Sequence, residues 1–220
     1  MAKHRLRFSK TGRAVYLSHL DLLRTFQRVF ARAGVSVRYT EGFNPQAYVS
    51  IPLPLSVGVG SMCELLDFEL VDNTSLDTLP KRLTEKMPEG IAVTEAYTAW
   101  TKCKDIAWLR VKGSLQYDGD MAERSEKLAA FYARESILVK KRTKKKAETI
   151  IDIKPLIREI TFQPAGAHEV RLETVIAAQN PGLNPNLLIG ALEQQDPDLL
   201  PDFTQFTRIE VYDTKGHPFR

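Results

Sequence analysis

Tyr16, Ser18, His19 and Asp21 stand close together, six residues beyond Lys10. An imidazole can take the proton of a 2′-hydroxyl, and a cation beside it can hold the charge of a scissile phosphate; together they suffice for metal-free RNA cleavage. His19, with a neighbouring Tyr16 or with Lys10 as the cation, is therefore the catalytic candidate of this chain. A histidine at a helix start more ordinarily hydrogen-bonds the adjoining loop, and a carboxylate such as Asp21 serves the helix dipole there.

The second chemistry is cationic. The first fifty residues hold nine Lys or Arg (Lys3, Arg5, Arg7, Lys10, Arg13, Arg24, Arg28, Arg32, Arg38) against the two acids Asp21 and Glu41. From Lys140 to Lys146 only Thr143 interrupts Lys140, Lys141, Arg142, Lys144, Lys145 and Lys146. The net charge of +4 is modest, so distribution matters more than total. Two separated basic zones point to a polyanion, although a lysine run alone is commonly a solvated hairpin tip. RNA would be met by a groove lined by Arg24, Arg28, Arg32 and the lysine run, with Arg5 and Arg7 on an open sheet face. Base stacking falls to Phe43 and Tyr48, with Asn44 in the same turn. A turn phenylalanine ordinarily plugs its own turn into the core. Gly58 and Gly60 allow either backbone approach to a phosphate or a bend before a strand.

Other classes find little support. Cys63 and Cys103 are the only cysteines, which excludes a disulfide scaffold and an unaided iron–sulfur cluster. His4, His19, His168 and His217 lack metal-site spacing, so neither metal nor cofactor is expected. No apolar run approaches the roughly 20 residues of a membrane span, and the N-terminus lacks a signal-peptide segment, which makes the cytoplasm the expected compartment.

The elements that position these residues follow from periodicity. Ser18 with Asp21 starts a helix that Gly34 ends. Leu22, Leu23, Phe26, Val29, Phe30 and Ala33 make its apolar face, with Arg24, Arg28 and Arg32 opposite. Alternation predicts strands over residues 3–10, 35–40, 62–71 and 91–97, and Thr74 with Asp77 opens a second helix. In the first strand Leu6 and Phe8 face the core and Lys3, Arg5 and Arg7 the open side. Pro52 and Pro54 keep the intervening run out of any central strand. Strand, helix, strand, strand, helix, strand is the split βαβ order. It returns as a strand at 106–115, a helix at 120–134, β-rich arms flanking the lysine run, a strand at 169–178, a helix capped by Asn184 and a strand at 206–212. The expectation is α+β: two tandem ferredoxin-like (βαββαβ) units, residues 1–100 and 101–220, each an antiparallel sheet with helices on one face.

With S-H-L-D-L-L-R, E-G-F-N-P, I-P-L-P-L-S-V-G-V and V-K-K-R-T-K-K-K followed by I-D-I-K-P-L-I in view, the chain resembles the radical SAM-linked protein family, a bacterial domain fused to or encoded beside radical S-adenosylmethionine enzymes. Two departures stand out. A His-Pro pair commonly follows the Gly-Phe-Asn-Pro turn in that family, where this chain has Gln46 and Ala47, and no Cys-x-x-x-Cys-x-x-Cys run is present. The resemblance therefore implies the linked partner and not the radical enzyme, in an RNA context. The element order is also similar to that of tandem repeat-associated proteins that bind and process CRISPR RNA. The resulting expectation is a non-catalytic RNA-binding or substrate-presenting partner of a radical SAM enzyme. Its alternatives are a metal-independent endoribonuclease using His19 and a protein-docking module that binds no RNA.

Overall fold

The computed structural model describes residues 3–142 and 148–220, and the chain divides into two compact units, 1–105 with 219–220, and 106–218. In the first, β1 (Lys3–Lys10), α1 (His19–Arg32), β2 (Val49–Ser50), β3 (Gly60–Glu69), α2 (Leu79–Thr84) and β4 (Ile91–Thr98) follow in order. β1 pairs antiparallel with β4 on one side and β3 on the other, and β2 pairs with β3. Leu6 and Phe8 of β1, Leu66 and Phe68 of β3 and Val93 of β4 meet Leu22, Phe26, Val29 and Phe30 of α1 and Leu79 and Leu83 of α2 in one core.

α1 has the boundaries its caps dictate. The Ser18 hydroxyl accepts from the Asp21 N–H (3.2 Å). At the other end Gly34, at φ +63, lets its N–H reach the Ala31 carbonyl and that of Val35 the Phe30 carbonyl. The strand expected at 35–40 is replaced by an edge in two pieces. Val37 bridges Leu70, the chain turns back through a Tyr39–Ala47 bridge, and only Val49–Ser50 then pairs regularly, opposite Phe68 and Asp67. The second helix is short because a 3-10 turn, Leu76–Thr78, precedes Leu79.

Arg5 and Arg7 do not line an open surface. Arg5 is 1% exposed: Nε donates to Asp67 Oδ1 at 2.7 Å, Nη1 to Thr101 Oγ1 at 3.0 Å, and its guanidinium lies 4.8 Å over the Phe219 ring. Arg7 is buried with Nε 4.0 Å from Glu95. The reason is cross-strand register: Arg5 stands opposite Asp67, so the two charges leave water together while Phe219 covers them. Burial alone would push the Asp67 carboxyl up, but Arg5, and after it Lys3 at 3.0 Å, outweigh burial and hold it below the carboxylate range.

The second unit contains β5 (Ile106–Gln116), α3 (Met121–Tyr132), β6 (Leu138–Arg142), β7 (Glu148–Asp152), β8 (Ile157–Pro164), β9 (Glu169–Ala177), α4 (Asn186–Gln195) and β10 (Phe203–Asp213). The sheet runs β10-β5-β9-β8, every neighbour antiparallel. β6 and β7 form a separate hairpin, so the second β-rich arm is two strands. Asp120 caps α3, accepting from the Ala122 N–H at 2.8 Å, and Met121, Ser125, Leu128 and Tyr132 are buried as the spacing predicts. Asn184 accepts from the Asn186 N–H at 3.0 Å at the start of α4. No helix among the described residues is long and apolar enough to cross a membrane.

Replacing Arg5 with Met should destabilise the fold by about 3–5 kcal/mol, since Asp67 is left buried without its main partner. The pair R5M/D67L should recover most of the loss in urea titration. Because Asp67's folded pKa is depressed, its contribution is present above the unfolded value of about 3.9 and lost as pH falls through the folded one. The acid limb below about pH 4 should therefore flatten in the double variant.

Candidate nucleic-acid interface

The corner before α1 is built on a buried lysine. Lys10 is 1% exposed and its ammonium donates to the carbonyls of Val15 (3.1 Å) and Leu17 (3.0 Å), holding the 3-10 turn Gly12–Tyr16 against β1. Burial pulls this ammonium below its ordinary value, against the attraction of Glu64. The Val15 carbonyl also accepts from the Gly58 N–H (2.9 Å), with Gly58 at φ +87. Gly58 thus fastens the proline-containing loop to the turn. Lys10 faces inward and cannot serve as the phosphate-holding cation beside His19. His19 is half-buried, and its Nδ1 has no hydrogen-bond partner among the described residues, so it does not hold the loop. Tyr16 is 71% exposed, and Leu20 and Val57 are exposed as well.

Along α1, Arg24, Arg28 and Arg32 are all exposed. Arg24 lies 3.5 Å from Asp21; no carboxylate among the described residues pairs with Arg28 or Arg32. Beside this face, the chain from Thr40 to Gln46 makes a closed turn: the Thr40 N–H donates to the Gln46 carbonyl (2.8 Å) and the Gln46 N–H to Thr40 Oγ1 (3.0 Å). Gln27 of α1 ties the turn to the helix, its Nε2 reaching Gln46 Oε1 and the Ala47 carbonyl, each at 3.4 Å. Phe43 stands at the tip with a relative exposure of 111%, and Asn44 is exposed beside it. The phenylalanine therefore does not plug the turn; Ala47 and Ile51 are the buried residues following it. Tyr48 is partly committed, with the Arg38 guanidinium 5.3 Å over its ring and Arg38 itself bonded to Glu69 (3.2 Å).

Helix and turn thus bring Arg24, Arg28, Arg32, Phe43 and Asn44 onto one unit. Arg5 and Arg7 are withdrawn into the fold. Lys140 and Lys141 are exposed on β6 of the other unit, Arg142 ends that strand, and Lys144, Lys145 and Lys146 lie outside the described residues. Sequence reasoning passed over Trp100, 87% exposed, and Tyr39, 50% exposed. Trp100 sits beyond the last alternating strand position, where no periodicity speaks.

Comparison with solved structures shows the fold. A chain of the crystal structure of a Cbf5-Nop10-Gar1 complex is similar at a TM-score of 0.52 with 8% identity, over 94% of this chain and 48% of that one. This chain spans about half the length of that relative. An unknown protein from Galdieria sulphuraria is matched at 11% identity (TM-score 0.25, 94% of this chain and 98% of that one). The encapsulated DyP-type peroxidase of Mycobacterium smegmatis is matched at 10% identity (TM-score 0.22, 96% and 91%). No curated protein matches. The architecture is thus α+β, and residues 3–185 match a bacterial family profile. The chain belongs to that family, described as "Uncharacterized protein conserved in bacteria (DUF2344)".

Lys10→Met should cost about 2 kcal/mol or more, since two carbonyls lose a charged donor inside the fold. Limited proteolysis should then cut within residues 11–18, which resist in the parent protein; an unchanged digestion pattern would show that Lys10 does not hold the turn.

Proposed function

We propose that this protein is a non-catalytic RNA-binding or substrate-presenting partner of a radical SAM enzyme, built on two ferredoxin-like units, and that it grips single-stranded RNA along α1. The observation carrying this reading is Phe43, an aromatic ring fully in solvent on a turn fastened to a helix whose Arg28 and Arg32 have no carboxylate partner among the described residues. Stacking on an exposed ring contributes about 1–3 kcal/mol per base and tolerates any sequence, while guanidinium groups follow the backbone. Lys140 and Lys141, exposed on β6, would offer phosphate contacts on the second unit. The strand orders β4-β1-β3, with β2 on β3, and β10-β5-β9-β8 are what the ferredoxin-like assignment predicts for each unit. The enzyme partner is supported by the motifs S-H-L-D-L-L-R and E-G-F-N-P and by the resemblance they carry.

A second reading keeps one observation of its own. The half-buried imidazole of His19, enclosed at Nδ1 and so able to meet a substrate only through Nε2, would with solvent-exposed Tyr16 nearby suit a metal-independent endoribonuclease. It predicts chelator-resistant cleavage that disappears in His19→Ala, and RNA left intact by the parent protein removes it.

In fluorescence anisotropy, single-stranded RNA should bind with an affinity that falls steeply with salt. R28A/R32A should lower the slope of log K against log salt by about 1.4, from two lost phosphate contacts. Phe43→Ala should weaken binding about tenfold or more with the slope kept. Affinity unaltered in both variants would refute this face. Co-purification with a neighbouring enzyme that survives nuclease treatment, in a protein that binds no RNA, would make it a docking module.

A further inference from the structure

Arg110, Val175 and Glu159 stand in one row across the sheet of the second unit. Arg110 of β5 stands opposite Val175 of β9, and Glu159 of β8 stands opposite Val175 from the other side. Their strands therefore lie two spacings apart, about 9.6 Å between backbones, with a valine as the floor between them. They flank an open recess that Thr161, Glu173 and Thr174 also line. The row alongside closes on itself, because Lys112 bonds Glu173 at 2.9 Å. In the Arg110 row, where Glu210 of β10 stands opposite Arg110 on the other side, Arg110 forms no ion pair among the described residues. The Arg110 Nε is buried with no hydrogen-bond partner among the described residues, while its guanidinium lies 5.8 Å from the Tyr212 ring. The Glu159 side chain is exposed and pairs with no cation among the described residues; only its main-chain carbonyl is engaged, accepting from Thr174 Oγ1 at 2.7 Å. Trp108 lies two residues before Arg110 on the same strand, opposite Tyr212.

A donor fork on one wall, an acceptor on the other and an apolar floor select a particular ligand. A phosphate would meet the carboxylates of Glu159 and Glu173. A bare cation would meet the guanidinium. What fits is a neutral, flat group with acceptors on one side and donors on the other, wide enough to touch both walls. Guanine has this pattern: O6 and N7 accept from an arginine, and N1–H and N2–H₂ donate to a carboxylate. Adenine would turn ring-nitrogen acceptors toward Glu159, and a single pyrimidine ring is narrower than the gap. We propose that this recess is a guanine-binding slot, with Arg110 and Glu159 as its reading residues and Val175 beneath the ring. The proposal rests on the RNA-binding reading above and supplies the base preference that stacking on Phe43 cannot.

The test compares an unstructured uridine oligonucleotide with the same strand carrying one guanosine, by anisotropy at fixed salt. The guanosine strand should bind on the order of tenfold more tightly. In Glu159→Gln and in Arg110→Met that ratio should fall to about one. In a Trp100→Phe background Trp108 is the sole tryptophan, and its fluorescence should change on adding the guanosine strand and not the uridine strand. Equal affinity for the two strands in the parent protein, or a preference surviving both substitutions, overturns the slot while leaving RNA binding standing. Failure of both strands to bind overturns the RNA reading and the slot with it.

Discussion

The buried contact between Arg5 and Asp67 sets the electrostatics of the first unit. Two charges at 2.7 Å inside a fold are stable only because each also satisfies the other's hydrogen-bonding geometry, and because Thr101 and the Phe219 ring complete the enclosure. Its consequence is a division of labour among the cations. Those of β1 are spent inward: Arg5 on Asp67, Lys10 on the carbonyls of a turn. Arg28 and Arg32 are exposed on α1 and have no carboxylate partner among the described residues.

The same division explains how precisely the proposed recognition face can be held. α1 is capped at both ends by local chemistry and packed by four buried apolar residues, so its arginines project from a rigid element. The turn bearing Phe43 borrows that rigidity through Gln27. The loop on the other side borrows it through the Gly58 N–H and Lys10, which meet at one carbonyl, that of Val15. A surface of this kind loses little conformational entropy on binding, because helix and turn are already ordered before the ligand arrives.

What could be read from the sequence was what short-range rules decide. The limits of α1 followed from Ser18 and Gly34, its buried face from the spacing of Leu22, Phe26, Val29 and Phe30, and the hairpin from alternation on either side of the lysine run. What could not be read depended on partners far along the chain. Arg5 alternates like an exposed residue, and only Asp67, 62 positions later and directly across the ladder, turns it inward. The edge beside β3 was expected as one strand because alternation over residues 35–40 cannot reveal that the chain doubles back at Thr40. Whether Phe43 stacks on a base or plugs its own turn stays open in the sequence, since local pattern does not say whether a turn closes on itself; here backbone and Thr40 bonds close it with no need of the ring. The Arg110, Val175 and Glu159 row lies deepest of all, because it exists only once three strands are in register.

The most direct test is to ask whether RNA touches the protein, and where. Ultraviolet cross-linking of a short single-stranded RNA to the intact chain, followed by peptide mass spectrometry, locates each contact without altering a residue. Adducts are expected on the peptide containing Phe43 and on peptides of α1. Cross-links absent from both, or found only on peptides remote from that helix and turn, would contradict the assignment of the RNA-binding face.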